Sequence, residues 1–125
     1  MQVEISIGEL VDKVSILKIK SRKIHDPEKL HNIHHELQLL HRKMESAGIT
    51  LESAEYQQLE EINTALWEIE DRIRMKEAKK AFDDEFIQLA RSVYLQNDER
   101  AAVKREINRA YGSDLMEEKS YSAYK

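Results

Sequence analysis

The segment DPEKLHNIHHELQLLHRKMESAG, residues 26–48, decides the fold. Asp26 offers a side-chain acceptor to an orphan N–H, and Pro27 stands at the first helical position, where a missing N–H costs nothing. Leu30, Ile33, Leu37, Leu40 and Met44 then recur at three- and four-residue steps as one apolar stripe. Gly48 supplies the left-handed residue that closes a helix. Start, stripe and stop together predict a helix over residues 27–47.

The same signals extend outward. Upstream, Val3-Glu4-Ile5 favours extended chain, after which Ser6 caps and Glu9 completes a capping-box spacing. Ile7, Leu10, Val11, Val14, Leu17, Ser21 and Ile24 then form the buried face of a helix over residues 7–25. Downstream, Leu59, Ile62, Leu66, Ile69 and Ile73 mark a helix over 52–80. Its residues 52–71 hold seven acids and no base, whereas Arg72, Arg74, Lys76, Lys79 and Lys80 follow, the polarity that a helix macrodipole favours. Phe82, Asp83 and Asp84 form a short connection to a helix carrying Phe86, Leu89, Ala90 and Val93. If that helix ran straight on, Asn97, Arg100 and Lys104 would turn inward beside Ile107. Either it breaks, giving helices over 84–97 and 98–111 with Asp98 as a cap, or those polar groups line a site. Gly112 ends it, and the tail of residues 113–125, with Tyr121 and Tyr124, is either mobile or laid across a neighbour.

Composition agrees. Of 125 residues three are Gly, one is Pro and none is Cys, too few turn formers for a sandwich, barrel or doubly wound sheet. Without cysteine there is no disulfide framework and no thiolate chemistry. The balance of 24 acids against 20 bases, net −4, pulls the chain toward neither nucleic acid nor an anionic membrane. The bases of the first helix, Lys13, Lys18, Lys20, Arg22 and Lys23, and those of the fourth are the local argument for nucleic acid. No run is apolar enough to span a membrane, and the start MQVEIS is no signal peptide, so the expected location is the cytoplasm. The expected fold is all-α: a single domain over residues 1–125, an antiparallel bundle of four to five helices with long, coiled-coil-like members.

Some faces exceed what one bundle needs. Ile16 and Ile19 lie off the apolar stripe of the first helix, and a helix apolar on two sides is sandwiched, here by a second subunit. Tyr56, Asn63, Trp67, Glu70 and Arg74 form a second stripe on the third helix. This stripe is either core with an ordinary Glu70–Arg74 pair or a partner surface of hot-spot composition. Ile16, Ile19, Tyr56 and Trp67 are thus the interface candidates of a homodimer. A further cluster, Arg91, Tyr94, Asn97, Asp98, Arg100, Lys104, Arg105 and Asn108, is either an inter-helix salt-bridge network or a pocket for a phosphate or carboxylate. Ligand-binding candidates are Glu70, Arg74, Arg91, Tyr94, Asn97, Arg100 and Lys104. The five histidines lie between His25 and His41; His31 and His35 share a face, but no third ligand joins them, so neither a metal nor another cofactor is expected.

The blocks ISIGELVDKVSILKIKSRKI, DPEKL, ALWEIEDRIR, FIQLARSVYLQNDERAAVKREIN and EEKSY, in this order, resemble a family of small helical bacterial and phage proteins of about this length. The resemblance implies a setting beside surface-polysaccharide and glycosyltransferase genes, and no chemistry. It places Trp67, Glu70, Asp71, Arg91, Tyr94, Asn97, Arg100, Lys104, Arg105, Glu118, Lys119 and Tyr121 in the recurrent pattern. In outline the chain is also similar to the small helical chorismate mutases. Arg22 fits that outline, but Ser6, Ile7 and Gly8 stand where the first-helix arginine is expected. The residues therefore point first to a non-enzymatic dimeric adaptor or accessory protein with a possible protein partner. An anion-binding protein or enzyme using the fourth-helix bases is the alternative.

Overall fold

The first, second and fourth helices begin where a side-chain oxygen accepts from a free backbone N–H, whereas the third starts at Ser53 without such a bond. In the computed structural model, residues 1–123 are described, and Tyr124 and Lys125, the end of the expected tail, lie outside the described residues. The helices are α1, Ile7–Lys23; α2, Pro27–Ser46; α3, Ala54–Ala78; and α4, Asp84–Ala110. Ser6 Oγ accepts from Glu9 N at 3.1 Å and Asp26 Oδ1 from Glu28 N at 3.0 Å, as the capping signals predict. Val3-Glu4-Ile5 forms no strand, and no strand occurs among the described residues.

The exits of α2, α3 and α4 share one geometry. After α2, Gly48 takes φ +89° while the N–H groups of Gly48 and Ile49 reach back to the carbonyls of Glu45 and Met44. The apolar residue after the glycine, Ile49, is fully buried, which anchors the turn. Gly112 repeats the arrangement after α4, with Ser113 N bonded to the Asn108 carbonyl at 2.8 Å. After α3 the same pair of bonds closes around Lys80, at φ +55°, where a side chain is strained. Lys80→Gly is therefore expected to stabilise the protein by roughly 0.5–1 kcal/mol, checked by urea denaturation.

Helix α1 is the hub: it packs on α2, α3 and α4, whereas α2 packs on α1 alone and α3 and α4 pair with each other. Val11 and Val14 of α1 meet Met44, Ile49, Tyr56, Leu59 and Ile107 in one core cluster. At about 1.5 Å per residue, α3 and α4 outrun α1 by more than about 10 Å. The end of their hairpin remote from α1 is accordingly left with Met75, Phe82 and Ile87 exposed. Surface ion pairs brace it, Arg72 to Glu85 at 2.9 Å and Lys76 to Asp83 at 2.7 Å.

Two expectations are corrected. Helix α4 runs unbroken through Asn97 and Asp98, so the separate helix over 98–111 does not exist. A break would strand several N–H and C=O groups, and it would gain nothing, because the inward bases meet carboxylates on α1. Ile19 and Tyr56, expected at a subunit interface, are each 1% exposed inside their own chain, and Tyr56 belongs to the core cluster.

Candidate functional site

Where α1 crosses α4, both helices turn polar residues inward at matching spacing. Gly8 and Asp12 of α1 face Asn108, Lys104 and Arg100 of α4, with the two helices antiparallel. Asp12 is fully buried, which demands compensation for its charge. Compensation comes from Arg100, whose Nε donates to Asp12 Oδ1 at 2.9 Å while Nη2 donates to Oδ2, a two-pronged grip. From α3, Asn63 Nδ2 donates to Asp12 Oδ1 and to Ser15 Oγ, each at 2.8 Å, and the Ser15 hydroxyl donates to the Asp12 carbonyl. Three helices are thereby tied to one carboxylate.

One turn further along α4, Lys104 sits among three acids. Its Nζ lies 2.7 Å from Glu9, 2.8 Å from Glu117 and 3.8 Å from Asp12. Burial pulls the Lys104 ammonium toward a lower pKa, but bonds to Glu117 and Glu9 outweigh it and hold the pKa above the ordinary lysine value. The Asp12 bond likewise raises Arg100. Conversely, Lys104 holds the Glu117 carboxyl below the usual range. A carboxyl so depressed stabilises the fold above its ordinary pKa, and that contribution disappears as pH falls through the lowered value. Wild type and Glu117→Gln are thus expected to differ by under ~1 kcal/mol at pH 7 and to converge in urea titrations as pH falls below the lowered Glu117 value, Glu117 being partly exposed.

Packing at this crossing is close because residue 8 has no side chain. Gly8 N donates to Asn108 Oδ1 at 2.6 Å, and a Cβ on Gly8 would run into the carbonyl oxygen of Lys104.

Beside the network opens a cleft of about 440 Å³ between α1, α3 and α4. Four ligand candidates line it, Glu70, Arg74, Asn97 and Arg100, with the interface candidates Ile16, Ile19 and Trp67. Glu70 and Arg74 form a largely exposed i,i+4 pair at 3.4 Å. Asn97 Oδ1 accepts from Arg100 Nη1 at 3.4 Å. Arg91 and Tyr94 are exposed on α4 and do not line the cleft, and Lys104 faces the Glu117 side. Tyr56, enclosed in the core, has its phenol pKa pushed up by burial and by the neighbouring Glu60 carboxylate.

Chemically the network is closed. Both oxygens of Asp12 already accept from Arg100, and Oδ1 accepts from Asn63 as well, which leaves little capacity for a substrate proton. Each inward base of α4 already has a carboxylate from its own chain. Asp12, Ser15 and Glu117 are the partners that sequence reasoning missed. Gly8-Asp12-Ser15 steps along α1 much as Arg100-Lys104-Asn108 steps along α4, but nothing in that spacing pairs the two helices, and Glu117 belongs to neither series. His31, His34 and His35 lie on the exposed face of α2, and no described cluster of His, Cys, Asp and Glu groups three potential metal ligands. No described helix is long and apolar enough to cross a membrane.

Compared with curated proteins and with solved structures, the chain matches none. A family profile, in contrast, matches residues 1–124. The resemblance seen in the sequence blocks thus resolves into one family covering nearly every residue, and the chain belongs to DUF6165, a family of unknown function.

Proposed function

We propose that the protein is a non-enzymatic helical adaptor or accessory module of the cytoplasm that acts as a homodimer, with the cleft beside Trp67 as its docking face. The observation that carries this reading is the uneven length of the bundle. The α3–α4 groove is filled by α1 as far as Ile16 and Ile19, and then continues past Trp67 without a third helix. A paired hairpin with one seam open to water gains stability by burying it against another helix. Charge favours a second copy in that position. The acidic half of α3 precedes its basic half, so an antiparallel pair of α3 helices sets Glu68, Glu70 and Asp71 of one copy toward Arg72, Arg74 and Lys76 of the other.

Light scattering provides the test. Wild type is expected at twice the chain mass of 14.7 kDa, and Ile16→Asp and Trp67→Glu at the monomer mass with helicity retained. A monodisperse wild-type monomer, indifferent to both substitutions, overturns the reading. The alternative, an anion-binding protein or enzyme, draws less support because Arg100 and Lys104 are already paired with Asp12, Glu9 and Glu117. The setting implied by the sequence resemblance makes a component of surface-polysaccharide synthesis the first partner to try with the purified dimer.

A further inference from the structure

After Ser113 the chain leaves α4 and runs back over it without regular structure, held by side chains. Met116 Sδ accepts from Asn108 Nδ2 at 3.6 Å, Glu117 meets Lys104 at 2.8 Å, and Glu118 meets Arg105 at 3.0 Å. Beyond Ser113 the described tail makes no backbone hydrogen bond to the backbone of the rest of the chain. We propose that the α4 face formed by Lys104, Arg105 and Asn108 is a docking seat for an acidic linear peptide of a partner protein, and that the chain's own tail is a replaceable occupant of that seat.

Three observations carry the inference. First, the tail carboxylates are surplus to the folded network. Glu9 and Asp12 already balance Lys104 and Arg100, so removing Glu117 leaves no uncompensated buried charge. Second, the tail satisfies the seat poorly. Asn108 is 2% exposed, yet its amide donates to a thioether, a weak acceptor, and the Arg105–Glu118 pair is largely exposed. A peptide that brings a carbonyl or amide oxygen to Asn108, followed by two carboxylates, makes the same ion pairs and a better hydrogen bond. Third, space remains: a cavity of about 190 Å³ lies between α4 and the tail, lined by Lys104, Arg105 and Asn108 and by the tail's Glu117, Glu118 and Lys119.

The tail competes as a tethered ligand with an effective concentration in the millimolar range, so a partner displaces it once its own concentration relative to its Kd exceeds that ratio for the tail. The seat lies two turns along α4 from Asn97, outside the Trp67 cleft, and does not depend on dimer formation.

The test uses the full chain and a fluorescent peptide of residues 113–121. In Glu117→Lys/Glu118→Lys the tail is repelled from its seat, and the peptide is expected to bind at least ~tenfold more tightly than to wild type, less so as salt rises. A peptide carrying Met116→Gln is expected to bind more tightly still, and adding Arg105→Glu to the released chain to abolish binding. Should the lysines perturb the helices, Glu117→Gln/Glu118→Gln serves as the released chain. Equal affinity for wild type and released chains, no binding to the released chain, or undiminished binding of a peptide with both glutamates changed to glutamine overturns the proposal. Trp67→Glu in the released chain is expected to leave peptide binding unchanged, so the dimer and the seat fail or stand separately.

Discussion

Asp12→Ala is expected to destabilise the protein by about 3 kcal/mol, the low end of what breaking a buried ion pair costs. Asp12 is fully buried, and its loss strands the Arg100 guanidinium, one hydrogen bond of Asn63 and part of the field around Lys104. Arg100 reaches the cleft with about a quarter of its side chain exposed, so water recovers some of the cost. Against a typical total of about 5–15 kcal/mol, the loss is large. Asp12→Asn keeps the shape but sets an amide against the guanidinium, and a comparable loss is expected. Asp12→Leu with Arg100→Met removes both charges together and should recover most of the stability. Urea denaturation of Asp12→Leu, Arg100→Met and the double variant closes the cycle. A cost below ~1 kcal/mol for Asp12→Ala would show that the pair is not desolvated as the burial implies.

Gly8→Ala is expected to cost roughly 1–3 kcal/mol, with the sign opposite to helix propensity. At an unconstrained helical position the exchange would stabilise by about 0.5–1 kcal/mol. Here the new methyl meets the Lys104 carbonyl and the Asn108 side chain, both held in place by α4. Relief requires α1 to move off α4, which lengthens the Gly8–Asn108 hydrogen bond of 2.6 Å and loosens the grip of Arg100 on Asp12. The measurement is again a urea midpoint, with Gly112→Ala as a contrast. That position has open space but φ +67°, so its cost comes from the backbone and leaves the α1–α4 crossing intact. A Gly8→Ala protein as stable as wild type would mean that the helices separate freely at this point.

Both results concern the crossing of α1 and α4, where reading the sequence went furthest and then stopped. The inward register of Asn97, Arg100 and Lys104 was legible from spacing alone, as the consequence of a helix that does not break. What they meet was not legible. Asp12 lies 88 residues from Arg100 and Glu9 lies 95 from Lys104, and one stretch of helix read alone cannot name a partner so distant. Spacing also put Ile19 and Tyr56 at a subunit interface, because an apolar residue off the main stripe looks unpartnered until a third helix covers it. Helix α1 has three neighbours, so more of its circumference is core than a two-layer bundle allows.

The sequence by itself determined the start of α1, both ends of α2 and the exit of α4: Ser6 and Asp26 as caps, Pro27 at a first turn, Gly48 and Gly112 in left-handed exits. These are local contests, each settled within a few residues by hydrogen-bond geometry and backbone sterics. Only the tertiary structure decided that α4 continues through Asn97, that its bases serve the fold's own carboxylates, and that Glu117 returns to sit on Lys104. Burying a charge is unfavourable until its partner arrives, and that partner is brought by packing of the whole bundle, not by any neighbour in the chain.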